Sequence, residues 1–86
     1  MKFKFSQHAA EEAERRKIHR NLIESVLASP QQIVEEYNGM KAFQSQMDFG
    51  EGKTYLLRAL VNDTVTPNIV VTVYKTSKIK KYWREL

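Results

Sequence analysis

The side chains best suited to chemistry crowd one end of the chain. Between Tyr74 and Leu86 stand Lys75, Lys78, Lys80, Lys81 and Arg84 against the single acid Glu85, with Tyr74, Tyr82 and Trp83 set among the cations. Cations neutralise phosphates and aromatic rings stack on bases, so this mixture is one that nucleic-acid binding uses. The whole chain carries 14 Lys and Arg against 10 Asp and Glu, a formal charge of +4. Five cations minus one acid in the end segment already give that +4, so the remainder is neutral. The ordinary alternative is a solvated basic tail whose aromatics anchor a core. Upstream, Arg58 interrupts the apolar run around Leu56, Leu57, Ala59 and Leu60. An arginine in a hydrophobic strand is costly unless it reaches solvent or an anion.

Other chemistries are excluded by what the chain lacks. It has no cysteine, which rules out disulfides, thiol catalysis and Cys-ligated zinc. Its two histidines, His8 and His19, are too few for a His-rich metal site, so no metal or cofactor is expected. No Gly-rich phosphate loop and no G-x-S-x-G occurs. With 86 residues the chain is expected to form a single domain over 1–86, burying only about 60% of its unfolded surface. No apolar run approaches the roughly 20 residues of a membrane span. The alternating start Met1-Lys2-Phe3-Lys4-Phe5 does not resemble a signal peptide. A cytoplasmic domain without membrane contact is the expectation.

The elements that must position these residues read as follows. Phe3 to Phe5 is a short strand or an extended lead-in. Ser6 can cap a helix over Gln7–Arg16 whose inner face is Ala9, Ala10 and Ala13. A second helix, about Arg20 to Ala28, places Leu22, Ile23, Val26 and Leu27 at helical spacing and stops at Ser29-Pro30. The period then becomes two. Asn38-Gly39, between Ile33–Tyr37 and Met40–Met47, predicts a type I′ hairpin pairing Tyr37 with Met40, Glu36 with Lys41 and Val34 with Phe43. Thr54–Asn62 and Asn68–Thr76 are two more strands. From Ser77 to Leu86, Ile79, Tyr82, Trp83 and Leu86 recur at i, i+3, i+4, i+7, which predicts a short closing helix. The fold class expected is α+β, with two N-terminal helices packed on a four-stranded antiparallel sheet and a short C-terminal helix.

Parity assigns faces to the last hairpin. Pairing Asn62 with Asn68 sets Arg58 opposite Thr72 and Leu56 opposite Tyr74, and buries Leu57, Ala59, Val71 and Val73 beneath the helices. The other face then gathers Arg58, Thr72 and Tyr74 beside the Lys-rich end, which suits a phosphodiester site. Arg58 can equally snorkel to the sheet edge.

Several stretches carry a resemblance. Phe5-Ser6-Gln7-His8-Ala9, then Arg16 and Ile18, then Leu56-Leu57-Arg58, and above all the run from Val70 to Trp83, resemble a bacterial family of domains of unknown function. That family is grouped with the RelE/ParE-like toxins of type II toxin–antitoxin systems. The likeness spans Phe5 to Trp83 and implies a RelE-like fold. Two positions depart from the family pattern: Lys17 stands where glycine is usual, and His19 where a Ser or Thr caps the second helix. RelE-like members cleave RNA, often on the ribosome, and ParE-like members poison gyrase without being nucleases. The resemblance therefore implies a metal-independent endoribonuclease neutralised by a cognate antitoxin protein. The alternative is a non-catalytic module that binds gyrase, the ribosome or nucleic acid.

Attack of an RNA 2′-OH on its phosphate needs a base, cations for the charged phosphorane and an acid for the leaving oxygen. His8 is the residue best matched to acid–base work at neutral pH. Tyr74 can donate or accept once cations lower its pKa, and Arg16, Arg58 and Lys78 can clamp the phosphate. The catalytic set expected is therefore His8, Arg58, Tyr74 and Lys78 in one cleft, with Arg16, Lys75, Lys80, Lys81 and Arg84 holding RNA. Each has a structural role open to it as well: His8 as a capping or packing residue, Arg16 as partner of Glu12, Tyr74 as a rim aromatic, Tyr82 and Trp83 as core.

Overall fold

The computed structural model describes residues 3–85. Met1 and Lys2 of the alternating start, and Leu86 of the closing stripe, lie outside the described residues. In chain order the elements are β1 (Phe3–Phe5), α1 (Gln7–Arg15), α2 (Arg20–Ala28), β2 (Gln32–Glu35), a 3-10 turn (Tyr37–Gly39), β3 (Met40–Asp48), β4 (Thr54–Asn62), β5 (Asn68–Thr76) and α3 (Ile79–Tyr82). The strands form one sheet in the order β1-β5-β4-β3-β2.

The fold is α+β, but the four-stranded antiparallel sheet with two N-terminal helices is corrected. The sheet has five strands and is mixed, because β1 enters it parallel to β5, and the chain makes this strand before either helix. Among the described residues there are three α-helices. Phe3 and Phe5 face the core under the helices, and the Phe3 ring meets Phe43 edge-on at 5.6 Å. Ser6 then fixes the junction. Its amide donates to the Val70 carbonyl, and its hydroxyl donates to Val71 O and accepts from Ala9 N, so one residue ends β1 and caps α1.

Both long helices lie on one face, α1 over β5 and β1 and α2 over β3 and β4. Ala9, Ala13, Ile23, Val26 and Leu27 bury there against Leu57, Ala59, Val61, Val70 and Val73. Alanines on α1 let its backbone approach the sheet closely. The helix closes on a left-handed residue: Ile18 N donates to Ala13 O, Lys17 N donates to Glu14 O, and Lys17 has φ 56°. This pairing favours glycine at the Lys17 position.

Two registers differ from the sequence reading, the first by one residue and the second by two at Arg58. At Asn38-Gly39 both residues take positive φ, 60° and 73°, and Met40 N donates to Tyr37 O, so the expected turn forms. However, Met40 O accepts from Glu36 N rather than from Tyr37, which puts two residues opposite one. The observed pairs are Glu35 with Lys41, Val34 with Ala42 and Ile33 with Phe43. In the last hairpin Asn62 pairs with Ile69 rather than Asn68, and a bulge opposite Leu60/Val61 adds a second residue of slip, so Arg58 faces Tyr74 rather than Thr72, and Leu56 faces Thr76. The extra residue also turns Val70 inward in place of Val71, and Val70 is fully buried while Val71 is not.

Candidate functional site

The register correction builds a polar row across the face away from the helices. Gln32, Gln44, Arg58 and Tyr74 are successive cross-strand partners on β2, β3, β4 and β5. Arg58 is only 2% exposed and Gln44 is fully buried. Arg58 spends each nitrogen on a partner: Nε donates to Gln44 Oε1 at 2.7 Å, Nη1 to the Tyr74 hydroxyl at 2.7 Å and Nη2 to Glu36 Oε2 at 2.9 Å. Its guanidinium also lies 4.3 Å from the Tyr82 ring centroid. Gln44 Nε2 donates to Gln32 Oε1 and to the Tyr82 carbonyl. Among the described residues no buried side-chain polar atom lacks a partner. A buried charge survives only when paired and hydrogen-bonded in this way.

The chain after β5 covers the row. The α3 helix is a single turn, not the longer stripe expected, and Trp83 is already extended at φ −72° and ψ 130°. Gln32 holds this strap by its main chain, donating to Arg84 O at 2.6 Å and accepting from Arg84 N at 3.1 Å. Tyr82 stacks over Arg58 from above and meets Tyr74 edge-on at 6.2 Å.

The expected catalytic four do not line one cleft. His8 is exposed on α1, in the layer over the opposite face of the sheet from Arg58 and Tyr74. Arg58 has a partner on each nitrogen and does not snorkel. The Tyr74 hydroxyl is pushed up from its ordinary pKa, the reverse of the sequence expectation, because burial outweighs the attraction of Arg58. Lys78 is exposed at the start of α3, its amide bonded to Thr76 Oγ1.

The expected RNA-binding set divides as well. Arg16 pairs with Glu12 at 2.7 Å, as Arg15 does, and the two hold the Glu12 carboxyl down to about 2. It belongs to the helix layer. Lys80, Lys81 and Arg84 are exposed on the strap with Lys78. Lys75 lies apart from them, on the helix side of β5, with its ammonium over the Phe49 and Tyr55 rings. Gln32, Glu36 and Gln44 were missed by sequence reasoning. For Gln32 and Gln44 the signal is alignment with Arg58 across the strands, which appears once the register is right, and Glu36 just beyond β2 has none.

Residues 5–75 match the family described as a domain of unknown function, DUF4258. The chain belongs to that family. No curated protein and no solved structure matches it. In this DUF4258 domain the matched stretch contains the whole polar row, and the strap with its four exposed cations follows it.

Proposed function

We propose that this DUF4258 domain is a non-catalytic RNA-binding module of the RelE/ParE-like kind, which engages single-stranded RNA through the strap that follows β5. One contrast carries the reading. Lys78, Lys80, Lys81 and Arg84 face solvent together with only Glu85 among them, whereas the arginine expected to clamp a phosphate is enclosed by Glu36, Gln44 and Tyr74. Exposed cations anchored by a bound main chain suit electrostatic, sequence-tolerant contact with phosphates. If the domain is the toxin of a toxin–antitoxin pair, the antitoxin segment that neutralises this surface is acidic. The endoribonuclease reading needs His8, Arg58, Tyr74 and Lys78 at one phosphate, and the placement of His8 across the sheet from Arg58 and Tyr74 weighs against it.

The test is a titration of the full chain with a fluorescent single-stranded RNA over a range of salt. Binding without cleavage is expected. Lys78→Gln/Lys80→Gln/Lys81→Gln should weaken binding and flatten the salt slope by about 2, at roughly 0.7 for each single-strand phosphate no longer neutralised. Unchanged affinity and slope would sink the proposal. Cleavage by the parent that disappears in His8→Ala would instead place the domain among the ribonucleases.

A further inference from the structure

A second cation site lies on the helix-covered side of the sheet, where β4 begins and β5 ends. Here the Phe49 and Tyr55 rings meet edge-on at 5.7 Å. Two lysines from different parts of the chain converge on them. Lys53 Nζ stands 5.3 Å from the Tyr55 centroid, and Lys75 Nζ stands 5.0 Å from Tyr55 and 4.4 Å from Phe49. Neither lysine has an ion pair among the described residues. Glu51 shares the lining of the cavity between them but pairs with neither. The cavity has a volume of about 170 Å³. Lys75 is only partly exposed, with rings rather than a carboxylate beside its ammonium.

We infer that this cavity is a phosphoryl subsite for single-stranded RNA, with Lys53 and Lys75 holding one phosphate and the Tyr55–Phe49 pair receiving the adjacent base. The inference rests on the RNA-binding reading above and extends it. Ring faces orient the two ammoniums toward the cavity without neutralising them. The volume falls below the roughly 300–1,000 Å³ of pockets that enclose a whole small ligand, so a phosphoryl group enters and its nucleoside stays at the rim. Stacking on an aromatic rim tolerates any base. Lys75 lies at the end of β5 from which the strap departs, so an RNA strand that crosses this end of the sheet passes from the strap cations on one face to this subsite on the other. Glu51 opposes the phosphate and tempers the affinity.

The experiment titrates the full chain with an oligouridylate of about eight nucleotides, alongside Lys53→Gln/Lys75→Gln, Tyr55→Leu and Glu51→Gln. Glutamine keeps most of each lysine stem over the rings, and Lys53→Gln alone, at an exposed loop position, is the second variant should the double one fold poorly. The double variant should bind at least tenfold more weakly, with a salt slope lower by about 1.4, which is twice 0.7. Tyr55→Leu should weaken binding about fivefold or more at an unchanged slope, because it removes stacking and no charge. Glu51→Gln should bind more tightly. Parent-like affinity and slope in the lysine variants, with the strap variant impaired, would overturn the subsite and leave the RNA-binding reading standing. Failure of the parent itself to bind would overturn both.

Discussion

Leu57 and Arg58 are neighbours in β4 and almost equally buried, yet they are held in opposite ways. Leu57 lies with Ala59, Val70 and Val73 beneath α1 and α2, in a layer of side chains that need only to leave water. Arg58 lies on the other face among Gln44, Glu36, Tyr74 and Tyr82, each at a bonding or stacking distance from it. The apolar face tolerates variation of shape within limits, because contact there is non-directional. The polar face is all-or-none: a member removed leaves its neighbours buried and unsatisfied. Burial of an arginine therefore does not make it a ligand site, and the free cations of this molecule are elsewhere.

The largest effect should come from breaking the polar row. Arg58→Leu is expected to lose about 3–5 kcal/mol, the range for removing one partner of a buried pair. Leu57→Ala on the opposite face should lose about 2–5 kcal/mol through its cavity. The two substitutions separate by their coupling. Adding Gln44→Leu to Arg58→Leu should restore part of the loss, because both buried members then leave together, whereas a second apolar truncation beside Leu57 should only add to its loss. Urea unfolding of the single and double variants measures this. Simple additivity at Arg58 and Gln44 would show the row to be a set of independent contacts.

A smaller effect sharpens the role of the strap. Gln32→Ala removes both hydrogen bonds to the Arg84 main chain and one partner of Gln44. It should lose about 1 kcal/mol and speed hydrogen exchange at the Arg84 amide. An unchanged exchange rate there would mean that Tyr82 alone holds the strap. The smallest effect belongs to the helix side. Lys17→Gly should raise stability by about 0.5–1 kcal/mol, since a side chain at positive φ is strained while glycine gives back part of that gain in entropy. A fall in the urea midpoint would show that the Lys17 side chain makes an interaction worth more than the strain.

Local signals were enough to place most of the elements. Alternation marks Thr54–Asn62 and Asn68–Thr76 residue for residue, Ser6 marks the start of α1, Ser29-Pro30 marks the end of α2, and Asn38-Gly39 marks its turn, because caps, period and positive φ are written in neighbouring residues. The basic strap could also be read, since charge is a property of composition. Tertiary structure decided the rest. An extra residue at Glu36-Tyr37 or at Val71 carries no sequence mark, yet the first decides which residue of β2 faces Gln44 and the second helps to decide which residue of β5 faces Arg58. The pairing of Phe3-Lys4-Phe5 with Asn68-Ile69-Val70 joins segments about 65 residues apart in the chain, which no local period encodes. The closed state of Arg58 depends on Gln44, Glu36, Tyr74 and Tyr82, four residues brought from separate segments. Sequence determines what a strand is able to present; whether a charge meets solvent or a partner is settled only when the other strands and the strap have packed around it.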